Sequence, residues 1–156
     1  MIYVFDTSSI RSLQHFYPSV FKTIWGGLDS LIQNQKLIST REVWNEIERQ
    51  NISTDVLAWA KQNKKIFTTP NADELQFVAQ IFQNKHFQNL IGEQQRLKGT
   101  PVADPFVIAC AKIKLGTVVT EEQMKPNAAK IPNVCAHFKV PCIDLEKFMQ
   151  QQGWAF

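Results

Sequence analysis

Acidic residues recur in this chain at places where a carboxylate could do chemistry. Asp6 follows the apolar run IYVF, Glu46 lies within REVWNEIER, Asp104 precedes PFVIACAKIK, and Glu121 and Glu122 follow TVVT. In open α/β sheets, ligands gather in the crevice beyond the carboxyl ends of parallel strands. Four carboxylates meeting there repel one another unless a cation lies between them. An all-oxygen donor set suits Mg²⁺ or Mn²⁺, the ions that phosphoryl-transfer enzymes use to activate water and to neutralise a leaving oxygen. The pattern therefore predicts a metal-dependent nuclease.

The elements that must position these acids alternate along the chain. Ile2 to Phe5 is short and fully apolar, as expected of a strand covered on both faces, and Thr7, Ser8 and Ser9 supply hydroxyls at the turn after it. Apolar residues from Val20 to Gln33 recur with helical spacing, interrupted by Gly26-Gly27, which weaken or bend the helix. Leu37-Ile38 reads as a strand ending at Ser39. Ser39 with Glu42 reads as a capping box opening a helix to about Gln50. Helices are expected from Thr54 to Asn63 and from Asp73 to Phe82, the second amphipathic through Leu75, Val78, Ala79 and Phe82, with a brief strand at Ile66-Phe67 between them. Gln83 to Gly99 is polar and Gln-rich, a mobile connection closed by Pro101. Asp104-Pro105 reads as an N-cap followed by a first-turn proline, on a helix that Gly116 ends. Thr117 to Thr120 is a strand. A polar loop leads to a last strand, Val140 to Ile143, and Asp144 caps a final helix through Gln151. Strands alternating with helices throughout predict a single three-layer α/β/α domain, residues 1–156, around a central parallel sheet.

Each acid also has a structural explanation. Asp6 could cap the next helix, yet a carboxylate beside a buried strand must be paired, capped or coordinating. Glu42 and Glu46 are one helical turn apart. Glu42 is accounted for by the capping box, so Glu46 is the favoured ligand, against a reading in which it is solvated beside Arg49 or Gln50. Asp104 can cap its helix and coordinate as well, and that helix start would point backbone amides at a phosphate. Adjacent glutamates such as Glu121 and Glu122 are commonly exposed loop.

Composition sets wide bounds. A length of 156 residues suits one domain with a real core, and 44% hydrophobic with 20% charged residues is ordinary for a folded protein. A net charge of +3 is compatible with nucleic acid without demanding it. Cys110, Cys135 and Cys142 form no CxxC pair, and Cys110 and Cys142 read as buried thiols of a reducing compartment. His15, His86 and His137 lack zinc-ligand spacing. No stretch has membrane-span character and the N-terminus has no signal-peptide pattern, so a cytoplasmic protein is expected. Gly-rich phosphate loops are absent, which argues against a nucleotide-binding α/β domain.

The DTSS turn after the first strand, the glutamate in EVWNEIE and the segment ADPFVIACAKIKLGTVVTEE together resemble a PIN domain, the nuclease fold of VapC-type toxins and related RNA-processing enzymes. The closing VPCIDL also fits, and Ser53 to Lys98 carries no matching motif. The resemblance implies an acidic cluster of Asp6, Glu46 and Asp104, with Ser8 as a hydroxyl helper. Its fourth member, usually an aspartate two residues after the strand-ending threonine, is here Glu122. It further implies hydrolysis of RNA phosphodiesters with Mg²⁺ or Mn²⁺, an antitoxin partner and a homodimer. Arg11, Arg41, Lys98 and Lys125 are then candidates to hold phosphates. The longer Glu122 and the polar insert mark a divergent branch. The competing expectation is a PIN-like module that binds RNA or protein without cutting it.

Overall fold

The computed structural model describes residues 1–90 and 102–155. Five strands form one sheet: β1 (Tyr3–Phe5), β2 (Leu37–Thr40), β3 (Phe67–Thr68), β4 (Thr117–Val119) and β5 (Cys142–Ile143). Their order is β3-β2-β1-β4-β5, and every pairing is parallel. Tyr3 faces Leu37 on one side and Thr117 on the other, while Phe5 faces Val119, so the carboxyl ends of the central strands lie level. The chain builds outward from β1 through β2 to β3, then returns to the other side of β1 to lay down β4 and β5. The topological switch point, where such sheets open a crevice, is thus between β1 and β4.

Eight α-helices cover the sheet: α1 (Thr7–Ser12), α2 (Lys22–Gln33), α3 (Arg41–Arg49), α4 (Thr54–Gln62), α5 (Ala72–Gln83), α6 (Ala103–Lys114), α7 (Ile131–Phe138) and α8 (Leu145–Gln151) among the described residues. The result is the expected three-layer α/β/α arrangement. Alternation along β1 puts Tyr3 and Phe5 on one face. Phe148 of α8 packs edge-on against both rings there, at centroid distances of 4.9 and 5.0 Å. Helix α6 lies across β1, β2 and β4 and buries Ala103, Val107, Ile108, Ala109, Cys110 and Ala111. Its small residues bring the backbone close to the sheet, and that places its N-terminus at the crevice.

Several local expectations change. Strand β2 runs two residues past its apolar pair, to Thr40, so Ser39 stays in the ladder opposite Phe67 and donates its hydroxyl to the Phe5 carbonyl at 2.6 Å. Thr40, not Ser39, caps α3 by accepting from the Val43 amide, and Glu42 instead pairs with Arg41 at 2.8 Å. The capping box that does form joins Asn71 and Glu74 at the start of α5. That helix buries Phe77, Val78 and Ile81, leaving Leu75 50% exposed. Val102, not Asp104, is the N-cap residue of α6, because the helix begins one residue before Asp104. Its end is turned by Leu115 in the left-handed region at φ 56°, while Gly116 admits the Ile2 carbonyl, which an added Cβ would meet at 2.9 Å. The stretch expected as a polar loop before β5 contains α7, opened by Pro132 in its first turn.

All three cysteines are free, and Cys142, at the outermost strand, is half-buried instead of buried. Among the described residues no helix is long and apolar enough to cross a membrane. The α5 helix ends at Gln83 and a 3₁₀ turn covers Lys85–Leu90. The rest of the Gln-rich connection, including Lys98 and Pro101, lies outside the described residues.

Candidate active site

Asp6 is the first residue past β1 and caps α1, with its carboxylate accepting the Ser9 amide at 2.8 Å. Only 2% exposed, it also accepts the Ser8 hydroxyl at 2.8 and 2.9 Å and the Thr120 hydroxyl at 2.5 Å. Thr120 stands past the end of β4, and in-register pairing of β1 with β4 brings these two positions together. Burial raises the Asp6 carboxyl above the ordinary aspartate value, and the three donors pull it back only in part.

Glu46 reaches the same crevice from α3. One carboxylate oxygen accepts the Thr7 hydroxyl at 2.5 Å, and the other accepts the Ala103 amide at 2.9 Å. The second bond replaces the side-chain cap that Val102 cannot supply, so Glu46 satisfies an orphan amide of α6. Arg49 and Gln50 do not pair with it: Arg49 donates to the Asn45 carbonyl, and Gln50 accepts from Arg11.

Asp104, one residue into α6, is released from capping and sits in the field of the other acids. Burial pushes its carboxyl well above the ordinary value, reinforced by the charges of Glu122, Asp6 and Glu46 in that order, with Lys130 opposing. Glu122 is raised too, by burial and then by Asp6. Lys130, the Ile131 amide and a hydrogen bond with Asp104 act the other way. The two consecutive glutamates diverge. Glu121 donates its amide to Ser8 at 2.9 Å, and its carboxylate accepts the Leu145 amide at 2.7 Å at the start of α8. Glu122 donates its amide to the Thr120 hydroxyl at 3.1 Å and faces Asp104.

The structure therefore brings Asp6, Glu46, Asp104 and Glu122 into one electrostatic neighbourhood. Among the described residues, however, no three His, Cys, Asp or Glu side chains stand together in metal-ligand geometry. The oxygens of Asp6 and Glu46 are engaged with hydroxyls and amides. The donor set nonetheless fits a hard divalent cation, being all oxygen, partly buried and mutually repelling.

Ser8 is spent inside the site, holding Asp6 and receiving Glu121. Arg11 turns to Gln50, Arg41 to Glu42, and Lys125 is exposed. The cation that does act on the acids is Lys130, at the N-cap of α7. Sequence reasoning missed it because it missed that helix. It also missed Thr7 and Thr120 as carboxylate holders, although each stands next to an acidic position in DTSS or VVTEE.

Comparison with known proteins adds the following. The crystal structure of PAE2754 from Pyrobaculum aerophilum is similar over 97% of this chain and 96% of that one, at 17% sequence identity and a TM-score of 0.46. No curated protein matches the chain. The model of one family, described as a domain of unknown function (DUF4411), matches residues 3–156, and the chain belongs to that family.

Proposed function

We propose that this protein is a metal-dependent, PIN-like ribonuclease that hydrolyses RNA phosphodiester bonds in the crevice between β1 and β4. The observation that carries the reading is Asp104, a carboxyl lifted by burial and by three other acids at the switch point of the sheet. Such uncompensated charge is unfavourable to the fold, and a cation relieves it. Asp6, Glu46, Asp104 and Glu122 would hold Mg²⁺ or Mn²⁺, which supplies activation of water and neutralises charge building on phosphorus.

The chain's own contribution is positioning. Thr120, Ser8 and the Ser9 amide fix Asp6, while Thr7 and the Ala103 amide fix Glu46. Lys130, exposed beside Asp104 and Glu122, is placed to meet a phosphate oxygen when substrate arrives. A pairing with an antitoxin, and a homodimer, belong to the same reading.

The absence of ligand geometry among the described acids favours one alternative, a PIN-like module that grips RNA or protein without cutting it. Incubation of a structured RNA with the protein and Mn²⁺ separates the two. Cleavage that EDTA stops and that Asp104→Asn lacks supports the nuclease. Cleavage that survives EDTA, or binding with no cleavage under Mn²⁺ or Mg²⁺, rejects it.

A further inference from the structure

Cys135 and Cys142 meet in space beside the acidic crevice. Helix α7 is turned at Lys139, in the left-handed region at φ 59°, and the Val140 amide returns to the Cys135 carbonyl at 2.8 Å. That reversal sends the chain straight into β5, where Cys142 pairs with Val118. The two thiols hydrogen-bond each other across the contact between α7 and β5. Cys110 stands apart from them, against Lys114 at the end of α6.

The two sulfurs differ in access. Cys135 is fully buried, whereas Cys142 is half-buried and lines a pocket of about 300 Å³ at the carboxyl ends of β4 and β5. Thr120, Glu122 and Pro132 line the same pocket. A small oxidant that enters it meets the Cys142 sulfur, with Cys135 as its neighbour. Redox-sensing thiols are of this kind, accessible and next to a resolving cysteine. In a reducing compartment such a disulfide is transient, not structural.

The pair is also tied to the acids. Ile131 and Cys135 are one turn apart on the buried side of α7, and the Ile131 amide hydrogen-bonds the Glu122 carboxylate. The charges of Asp6 and Glu122 reach Cys135 as well. Strand β5 is held by its ladder to β4, so drawing the sulfurs together moves α7, and with it the amide that holds Glu122.

Resting on the cation-binding reading above, we propose that Cys135 and Cys142 form a reversible disulfide in response to peroxide, and that this disulfide weakens the cation site at Glu122. The Cys142 sulfur attacks the peroxide O–O bond, giving a sulfenic acid and one water. The Cys135 sulfur then attacks the Cys142 sulfur and the S–S bond forms. The hydroxide that leaves takes the Cys135 proton as a second water. Two thiols thus lose two electrons and one peroxide becomes two waters. A dithiol reductant reverses the step by thiol–disulfide exchange.

The test treats the full chain with hydrogen peroxide, removes it by desalting, and titrates Mn²⁺ against the melting temperature alongside peptide mapping. Expected are a linked Cys135–Cys142 peptide, a free Cys110, and a Mn²⁺ midpoint raised about ten-fold, the order of effect of losing a group that orients a metal ligand. Dithiothreitol should restore the reduced midpoint. Cys142→Ser, a change at a half-buried site, should fold normally and keep its midpoint after peroxide. Mapping that finds Cys142 oxidised without Cys135 overturns the proposal. So does a linked peptide with an unchanged midpoint, or an equal shift in peroxide-treated Cys142→Ser. The two readings fail separately. A Mn²⁺-induced rise in Tm with no linked peptide rejects the thiol switch and keeps the cation site. A reduced chain with no Mn²⁺ response rejects the cation site, and the control over it falls too.

Discussion

Among the described residues, the acid at Glu74 and the acids at the β1–β4 crevice are treated in opposite ways. Glu74, 2% exposed, has both oxygens used: one accepts the Asn71 amide at 3.0 Å and the other the Lys114 ammonium at 2.6 Å. Burial pulls the Lys114 ammonium down, yet its bond to Glu74 leaves it above the ordinary lysine value. The neighbouring Cys110 thiol is pushed by burial up to about 12, so it carries no charge. At the β1–β4 crevice, by contrast, four carboxyls share one neighbourhood, and the exposed Lys130 acts against them. The Glu74 charge is compensated on the spot by Lys114 and the Asn71 amide, whereas a cluster of acids left without such partners in a crevice is a candidate ligand site.

The largest effect should come from breaking the compensated group. Glu74→Ala removes the capping box of α5 and strands Lys114. Deleting one partner of a buried pair costs about 3–5 kcal/mol, reduced here because Lys114 is 30% exposed, and the lost cap adds about 1 kcal/mol. A loss of about 2–4 kcal/mol is expected, read as a lower urea midpoint at unchanged m-value. A change below about 1 kcal/mol would show that solvent already screens the pair.

Asp104→Asn should act with the opposite sign. In metal-free buffer the carboxyl is unfavourable to the fold, so the variant should melt above the wild type and lose the Mn²⁺-induced rise in Tm. The pH dependence follows from the raised carboxyl. The folded chain keeps a proton that the unfolded chain releases near the ordinary aspartate value of 3.8. The contribution of this carboxyl to metal-free stability is therefore fully present below that value and is lost as pH rises through the higher, folded pKa. Asp6 is shifted in the same direction, so the variant should show a shallower decline, not a flat one. A wild type whose metal-free stability climbs through this range would show that the acids are compensated after all.

Much of this contrast was legible in the sequence, but only one half of it. Five short apolar runs, each followed by turn or helix signals, announced the parallel sheet, and the acids at their carboxyl ends announced the crevice. Asp144 caps the last helix as expected, but Ser39 was read as a cap one residue before Thr40 and Asp104 two residues after Val102, and that mattered. Reading Ser39 as a cap gave Glu42 a role it lacks, while one of its buried oxygens is in fact unpartnered. Reading Asp104 as a cap hid the fact that Glu46 satisfies the start of α6. A residue's own neighbourhood predicts its capping ability, whereas which strand continues by one more residue is set by the neighbouring strand. Lys130 and the Glu74–Lys114 pair depend on contacts across 26 and 40 positions or comparable spans, with no local pattern to announce them. Helix α7 escaped notice because IPNVCAHF follows a polar stretch and buries only Ile131, Val134 and Cys135, too few positions for a period to stand out.

The smallest effect divides two adjacent residues between the two kinds of acid. Glu121 is local and compensated, its carboxylate accepting the Leu145 amide at 2.7 Å. Glu122 belongs to the crevice, raised by burial and by Asp6. Alternation beyond β4 is a weak guide to this division, since the chain turns there. What separates the side chains is the start of α8, which claims Glu121. Glu121→Ala should cost about 1 kcal/mol, the net worth of one such hydrogen bond, and leave the Mn²⁺ response intact. Glu122→Gln should leave metal-free stability equal or slightly higher while weakening the Mn²⁺ response. The comparison is made on thermal melts with and without Mn²⁺, so it needs no assumption about the substrate. If Glu121→Ala removes the metal response and Glu122→Gln does not, the division of labour at this turn is reversed. Equal responses in both variants would mean that cation binding rests on Asp6, Glu46 and Asp104 alone.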